Sequence, residues 1–132
     1  MLTRYLARLL GLWIVLTELG MVATRGSTVA AVGALFSDPA LMWVTGVFTM
    51  LIGLAIVVAH NRWTEGPVAA LVTLYGWAAL IKGLLFVWLS QEQQMQFYRA
   101  LQFDRLFYAY LAIGIVLGAY LLYGGFRRET QA

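Results

Sequence analysis

The sequence predicts an all-α polytopic membrane protein: four transmembrane helices with two short interfacial helices, in one domain spanning 1–132. Three observations carry this. Hydrophobic residues make up 62% of the chain and charged residues only 11%, whereas soluble domains are about half apolar and about a quarter charged. A soluble chain this small cannot hide so much apolar surface, so lipid must solvate it. The apolar residues also fall into four runs, each near the ~20 residues a bilayer requires. The formal net charge is +3, from 9 basic and 6 acidic residues. The basic residues are scattered rather than striped, which speaks against nucleic-acid binding. Cysteine is absent, so disulfides, thiolate metal sites and Cys nucleophiles are excluded.

The first span is expected at about 5–24. Arg4 and Arg8 precede an apolar run that continues to Ala23 with Glu18 inside it. No small-residue cleavage site follows cleanly, so the run reads as an uncleaved span. In 28–37, Val29, Val32, Leu35 and Phe36 recur at helical spacing, which predicts a short interfacial helix. Asp38-Pro39 then supplies a cap and a first-turn proline for the second span, 39–60. Residues 61–66 are a turn, and Gly66-Pro67 opens the third span, 67–89. Ser90 with Gln93 has the spacing of a capping box. It starts the polar segment 91–102, where Met95, Tyr98 and Leu101 share one helical face. The fourth span is expected at about 104–124, followed by a short tail with Arg127 and Arg128.

Each half is thus a span, an amphipathic linker and a span, with the halves offset by roughly 65 residues. Both linkers must emerge on one side, so the repeat is parallel rather than inverted. Arg4, Arg8, Arg62, Arg127 and Arg128 share the side of the termini, against Arg25, Arg99 and Arg105 on the other. That excess predicts cytoplasmic termini in an inner (plasma) membrane. Trp43, Trp63, Tyr98 and Tyr123 lie near span ends, where aromatic anchors belong.

Helices in lipid associate through close contact, and small residues at helical spacing permit it. Gly46 and Gly53 do so in the second span, with His60 next on the same face. Thr73, Gly76, Ala79 and Gly83 do so in the third, and Ala7 and Gly11 in the first. The fourth span carries Gly114 and Gly118, which either pack inside the bundle or join a second copy or another subunit.

Two ionisable residues lie inside spans, Glu18 and Lys82. A charge near the bilayer centre costs ~2.5–3.5 kcal/mol on insertion scales, so such residues are usually paired or functional. Both sit at nearly the same depth, on spans that run in the same direction. They are expected to form an ion pair, with Tyr75 placed to donate a hydrogen bond. His60-Asn61-Arg62-Trp63 falls at the membrane surface. His60 is expected to cap helix carbonyls or contact the neighbouring turn, Arg62 to meet lipid phosphate, and Trp63 to sit among headgroups. His60 is the single histidine, and no acidic or sulfur ligands cluster near it, so neither metal nor cofactor is expected. No nucleophile with a base, phosphate loop or carboxylate pair is visible, and no enzymatic activity is expected.

The central hairpin resembles a group of small, uncharacterised bacterial four-span membrane proteins. Their pattern, G-L-x-I-V-x-x-H-N-x-W then G-W-x-x-L-x-K-G, is met by Gly53, Leu54, Ile56, Val57, His60, Asn61 and Trp63. It continues with Gly76, Trp77, Leu80, Lys82 and Gly83. The resemblance covers about a quarter of the chain and implies a four-span topology and a bacterial source, without an activity. Those proteins often place a proline just after the third span, where this chain has Ser90 and a Gln-rich segment. Four spans and a Glu in the first are also similar to the small multidrug-resistance exporters. That likeness implies proton-coupled export with Glu18 as coupling residue. Lys82 and the longer linkers depart from that family. The expectation is a non-enzymatic accessory subunit or assembly factor, in a homo-oligomer or with partner membrane subunits. The alternative is a small proton-linked transporter.

Overall fold

The computed structural model describes residues 2–127. Its helices are α1 (Leu2–Ala23), α2 (Arg25–Ser37), α3 (Pro39–Ala59), α4 (Pro67–Trp88), α5 (Gln91–Leu101) and α6 (Phe107–Phe126). The fold is all-α, with no strand among the described residues. Four helices, α1, α3, α4 and α6, are long and apolar enough to cross a membrane. Arg128, assigned above to the tail, lies outside the described residues.

The helix boundaries have local causes. The Asp38 carboxylate accepts from the amides of Ala40 (3.0 Å) and Leu41 (3.1 Å), and Pro39 fills the first turn of α3. Gly66 precedes α4 with φ +115°, a conformation L side chains rarely adopt. Pro67 then sets the first helical φ. Ser90 and Gln93 complete a capping box at α5. The last span starts later than expected because Gln102 is left-handed (φ 48°) and the chain turns before helix resumes at Phe107.

The four long helices pack as two antiparallel pairs, α3 with α4 and α1 with α6. Glycines set both seams. A Cβ added at Gly46 would stand 2.7 Å from Phe86 Cβ, and one at Gly76 2.5 Å from Ile56 Cγ2. Gly53 abuts the backbone of Ala79 and Leu80, and Gly83 that of Met50. In the other pair, a Cβ added at Gly11 would stand 2.8 Å from Leu122 N, and one at Gly118 2.9 Å from the Cγ2 atoms of Ile14 and Val15. Gly114 and Gly118 are therefore spent on the internal α1–α6 contact and are not free to join a second copy. The two seams correspond. Gly11 and Gly76 are 65 residues apart, as are Gly53 and Gly118, and each finds its neighbours at the matching offset.

The pairs meet along a core in which Leu6, Leu10 and Ile14 of α1 pack with Ile56, Val72 and Leu121. At the end away from the termini, α2 rests on α5. Phe36 stacks on Tyr98 with centroids 4.8 Å apart, and Gln91 Nε2 donates to Ser37 O (3.1 Å). Tyr98 thus packs between two helices rather than serving as a free aromatic anchor. Met95 joins the same cluster against Phe36, Met42 and Phe86. Arg25 Nη2 donates to the Asp104 carbonyl (2.7 Å), so both linkers lie at one end. At the opposite end, Arg8 Nε donates to Gly125 O (2.6 Å) and Arg4 Nη2 to Arg127 O (2.8 Å). These two arginines satisfy carbonyls in and just past the last turn of α6, where a cation also suits the helix dipole.

Candidate functional site

The polar residues of the central hairpin converge on one hub. α3 ends at His60, whose amide donates to Ile56 O (2.7 Å). The imidazole is fully buried, at 0% exposure. Nε2 lies 2.7 Å from Thr3 Oγ1 on α1, and Nδ1 lies 3.1 Å from Thr73 Oγ1 on α4. A neutral ring satisfies both contacts, one nitrogen donating and the other accepting from a hydroxyl. Neither ring nitrogen is left for a ligand. Thr73 Oγ1 also accepts from the Arg62 amide (3.0 Å). It stands 3.0 Å from Ala69 O and 3.1 Å from Arg62 O, either of which can take its single proton. His60 therefore ties α1 to α4 through its ring, rather than capping carbonyls with it.

Asn61 Oδ1 accepts from the indole N–H of Trp63 (3.0 Å) and of Trp77 (3.4 Å). This joins the turn to α4 and explains the two tryptophans of the motif. Arg62 donates to Glu65, Nη1 to Oε2 at 2.9 Å. It meets that carboxylate, i,i+3 in the exposed turn, where lipid phosphate was expected. Thr3 carried no signal in the sequence, and Asn61 stood out there only as a motif residue beside His60. Thr73 appeared only as a small packing residue, because its partners are distant in sequence.

The expected Glu18–Lys82 ion pair is not formed. Among the described residues the ion pair is Arg62–Glu65. Ala7, Gly11 and Glu18 do share a face, but that face is turned to α6, since α1 pairs with α6 and only grazes α4. The Glu18 carboxylate lies directly over Gly114, which leaves room for it. Its Oε2 is buried without a hydrogen-bond partner among the described residues. Lys82 Nζ instead lies 5.5 Å from the centroid of the Phe86 ring. Tyr75 packs against the α1–α4 core, and no hydrogen bond joins it to Lys82 among the described residues. Equal depth did not bring Glu18 and Lys82 together, because depth does not fix the direction each helix faces.

Two cavities flank these features. One, about 690 Å³, opens near the termini between α1, α4 and α6, with Arg4, Arg62, Arg127 and Glu65 among its walls. The other, about 610 Å³, lies beneath α2 and α5 and contains Lys82. No group of His, Cys, Asp or Glu among the described residues is placed to hold a metal ion. No protein-family model, curated protein or solved structure matches the chain.

Proposed function

We propose that this chain is a non-enzymatic integral membrane protein that serves as an accessory subunit or small assembly factor of a membrane complex. The observation that carries the reading is the use made of its polar side chains. His60, Thr3, Thr73, Asn61 and Trp77 are turned onto one another and hold helices together. Large apolar side chains instead cover the outer faces of the spans, Trp13, Leu16, Phe48 and Val116 among them. Such faces suit lipid and other helices equally. The arginine distribution supports cytoplasmic termini, and the resemblance of the central hairpin to small bacterial four-span membrane proteins supports a bacterial inner membrane. The test is cross-linking in native membranes followed by purification in mild detergent. A defined partner, or a defined oligomer of this chain, is expected. Recovery of monomer alone after efficient cross-linking would overturn the reading.

One observation favours a second reading, proton-linked transport. Among the described residues no cation pairs with Glu18, and its Oε2 is buried without a hydrogen-bond partner. In proteoliposomes, substrate-driven proton flux that is abolished by Glu18→Gln would establish transport. Equal flux from the wild type and the variant would exclude Glu18 as the coupling residue.

A further inference from the structure

The cavity under α2 and α5 has a pronounced chemical asymmetry. Its walls are almost wholly apolar, with Met21, Leu35, Phe36, Phe97 and Leu101 contributing from three helices. Within it stands Lys82, the one lysine of the sequence. Two other polar side chains reach the wall. Gln94 already donates its amide to Phe86 O (2.7 Å) and Leu89 O (3.1 Å), closing the end of α4. Thr45 is a neutral hydroxyl. No carboxylate of the described residues pairs with the ammonium, which stands over the Phe86 ring. Lys82 lies six residues before the end of α4 at Trp88, a depth of about 9 Å at the helical rise. Lys82 is an exposed residue on the surface of α4, and an ammonium at that depth in a membrane is ordinarily matched by an anion.

We propose that this cavity binds a single-chain anionic amphiphile, a long-chain carboxylate, with its head on Lys82 and its tail along the walls under α2 and α5. Three features select that chemistry. A single cation calls for a monoanionic head. Apolar walls call for a hydrocarbon tail, each buried methylene of which adds to affinity. A volume of about 610 Å³ falls in the range of small-ligand sites and suits one acyl chain rather than the two of a phospholipid. The site is separate from the His60 hub and does not depend on the accessory-subunit reading.

The experiment uses the full-length protein in a non-ionic detergent, with cis-parinaric acid as probe. Energy transfer from the protein's tryptophans reports binding. Saturable binding of the acid is expected, with much weaker binding of its methyl ester. Lys82→Met should reduce affinity at least roughly tenfold, and Lys82→Arg should retain most of it. Ala78 lines the same cavity, so Ala78→Phe should also abolish binding while leaving the cation in place. This second variant keeps the test valid if Lys82→Met fails to fold. Ester binding as tight as acid binding, or a folded Lys82→Met with unchanged affinity, would overturn the proposal. So would displacement of the probe by a two-chain phospholipid at lower concentration than by oleate.

Discussion

At the scale of single residues, the molecule depends on Thr73. Its hydroxyl accepts from the Arg62 amide, contacts His60 Nδ1 and backs onto the Ala69 carbonyl, all at 0% exposure. Thr73→Val keeps the shape and removes every one of these bonds. It removes the partner of the Arg62 N–H and leaves a buried imidazole nitrogen unpaired, which costs ~1–3 kcal/mol for the buried group. Thermal unfolding in detergent should show a clear loss for Thr73→Val and near-native stability for Thr73→Ser. An unchanged Thr73→Val would mean that the hub does not hold α3 to α4. In the sequence His60 continues the Gly46 and Gly53 face. Its partners were not legible, since Thr3 is 57 residues away and Thr73 is 13. For Glu18 and Lys82 the position along each span was legible and the direction was not. Spacing within one helix says nothing about which neighbour a face will meet.

At the scale of helices, glycine position decides the packing. Gly20 and Gly26 have open space around them, whereas Gly83 abuts the Met50 backbone and Gly118 abuts Ile14 and Val15. Gly20→Ala should be neutral, or stabilising by up to ~1 kcal/mol through helix propensity. Gly83→Leu and Gly118→Leu must push whole helices apart and should abolish the folded monomer. Circular dichroism melts and size-exclusion profiles separate these outcomes. A well-folded Gly118→Leu with an altered oligomeric state would show that the glycine serves an external contact instead. Helix existence, caps and the small-residue faces could all be read from sequence, because each is a local property. The pairing of α1 with α6 could not, because those helices stand at opposite ends of the described chain.

At the scale of the molecule, both linkers lie at one end and the 61–66 turn at the other. Ser27, Gln96 and Thr64 are exposed positions that report these ends. With cysteine introduced singly at each, Ser27→Cys and Gln96→Cys should label together with an impermeant reagent in intact cells. Thr64→Cys should label only after permeabilisation. Labelling of Thr64→Cys alone would reverse the orientation inferred from the arginines, and labelling of Ser27→Cys without Gln96→Cys would break the four-span topology.

The matching offset of the two glycine seams has a consequence for ancestry. The first half carries Gly11 on one span and Gly53 on the other, and the second half carries Gly76 and Gly118 in the same roles. A three-helix chain with both surfaces is complementary to a copy of itself, α1 of one against α3 of the other, as two-fold pairing requires. The present chain has the form of such a pair fused end to end by the 61–66 turn. Fusion releases each half from having to match the other. Glu18 stands opposite Gly83 in this register, His60 opposite Gly125, and Lys82 opposite Thr17. Glu18, His60 and Lys82 thus have no counterpart of their own kind in the other half, whereas the seam glycines Gly11 and Gly53 do.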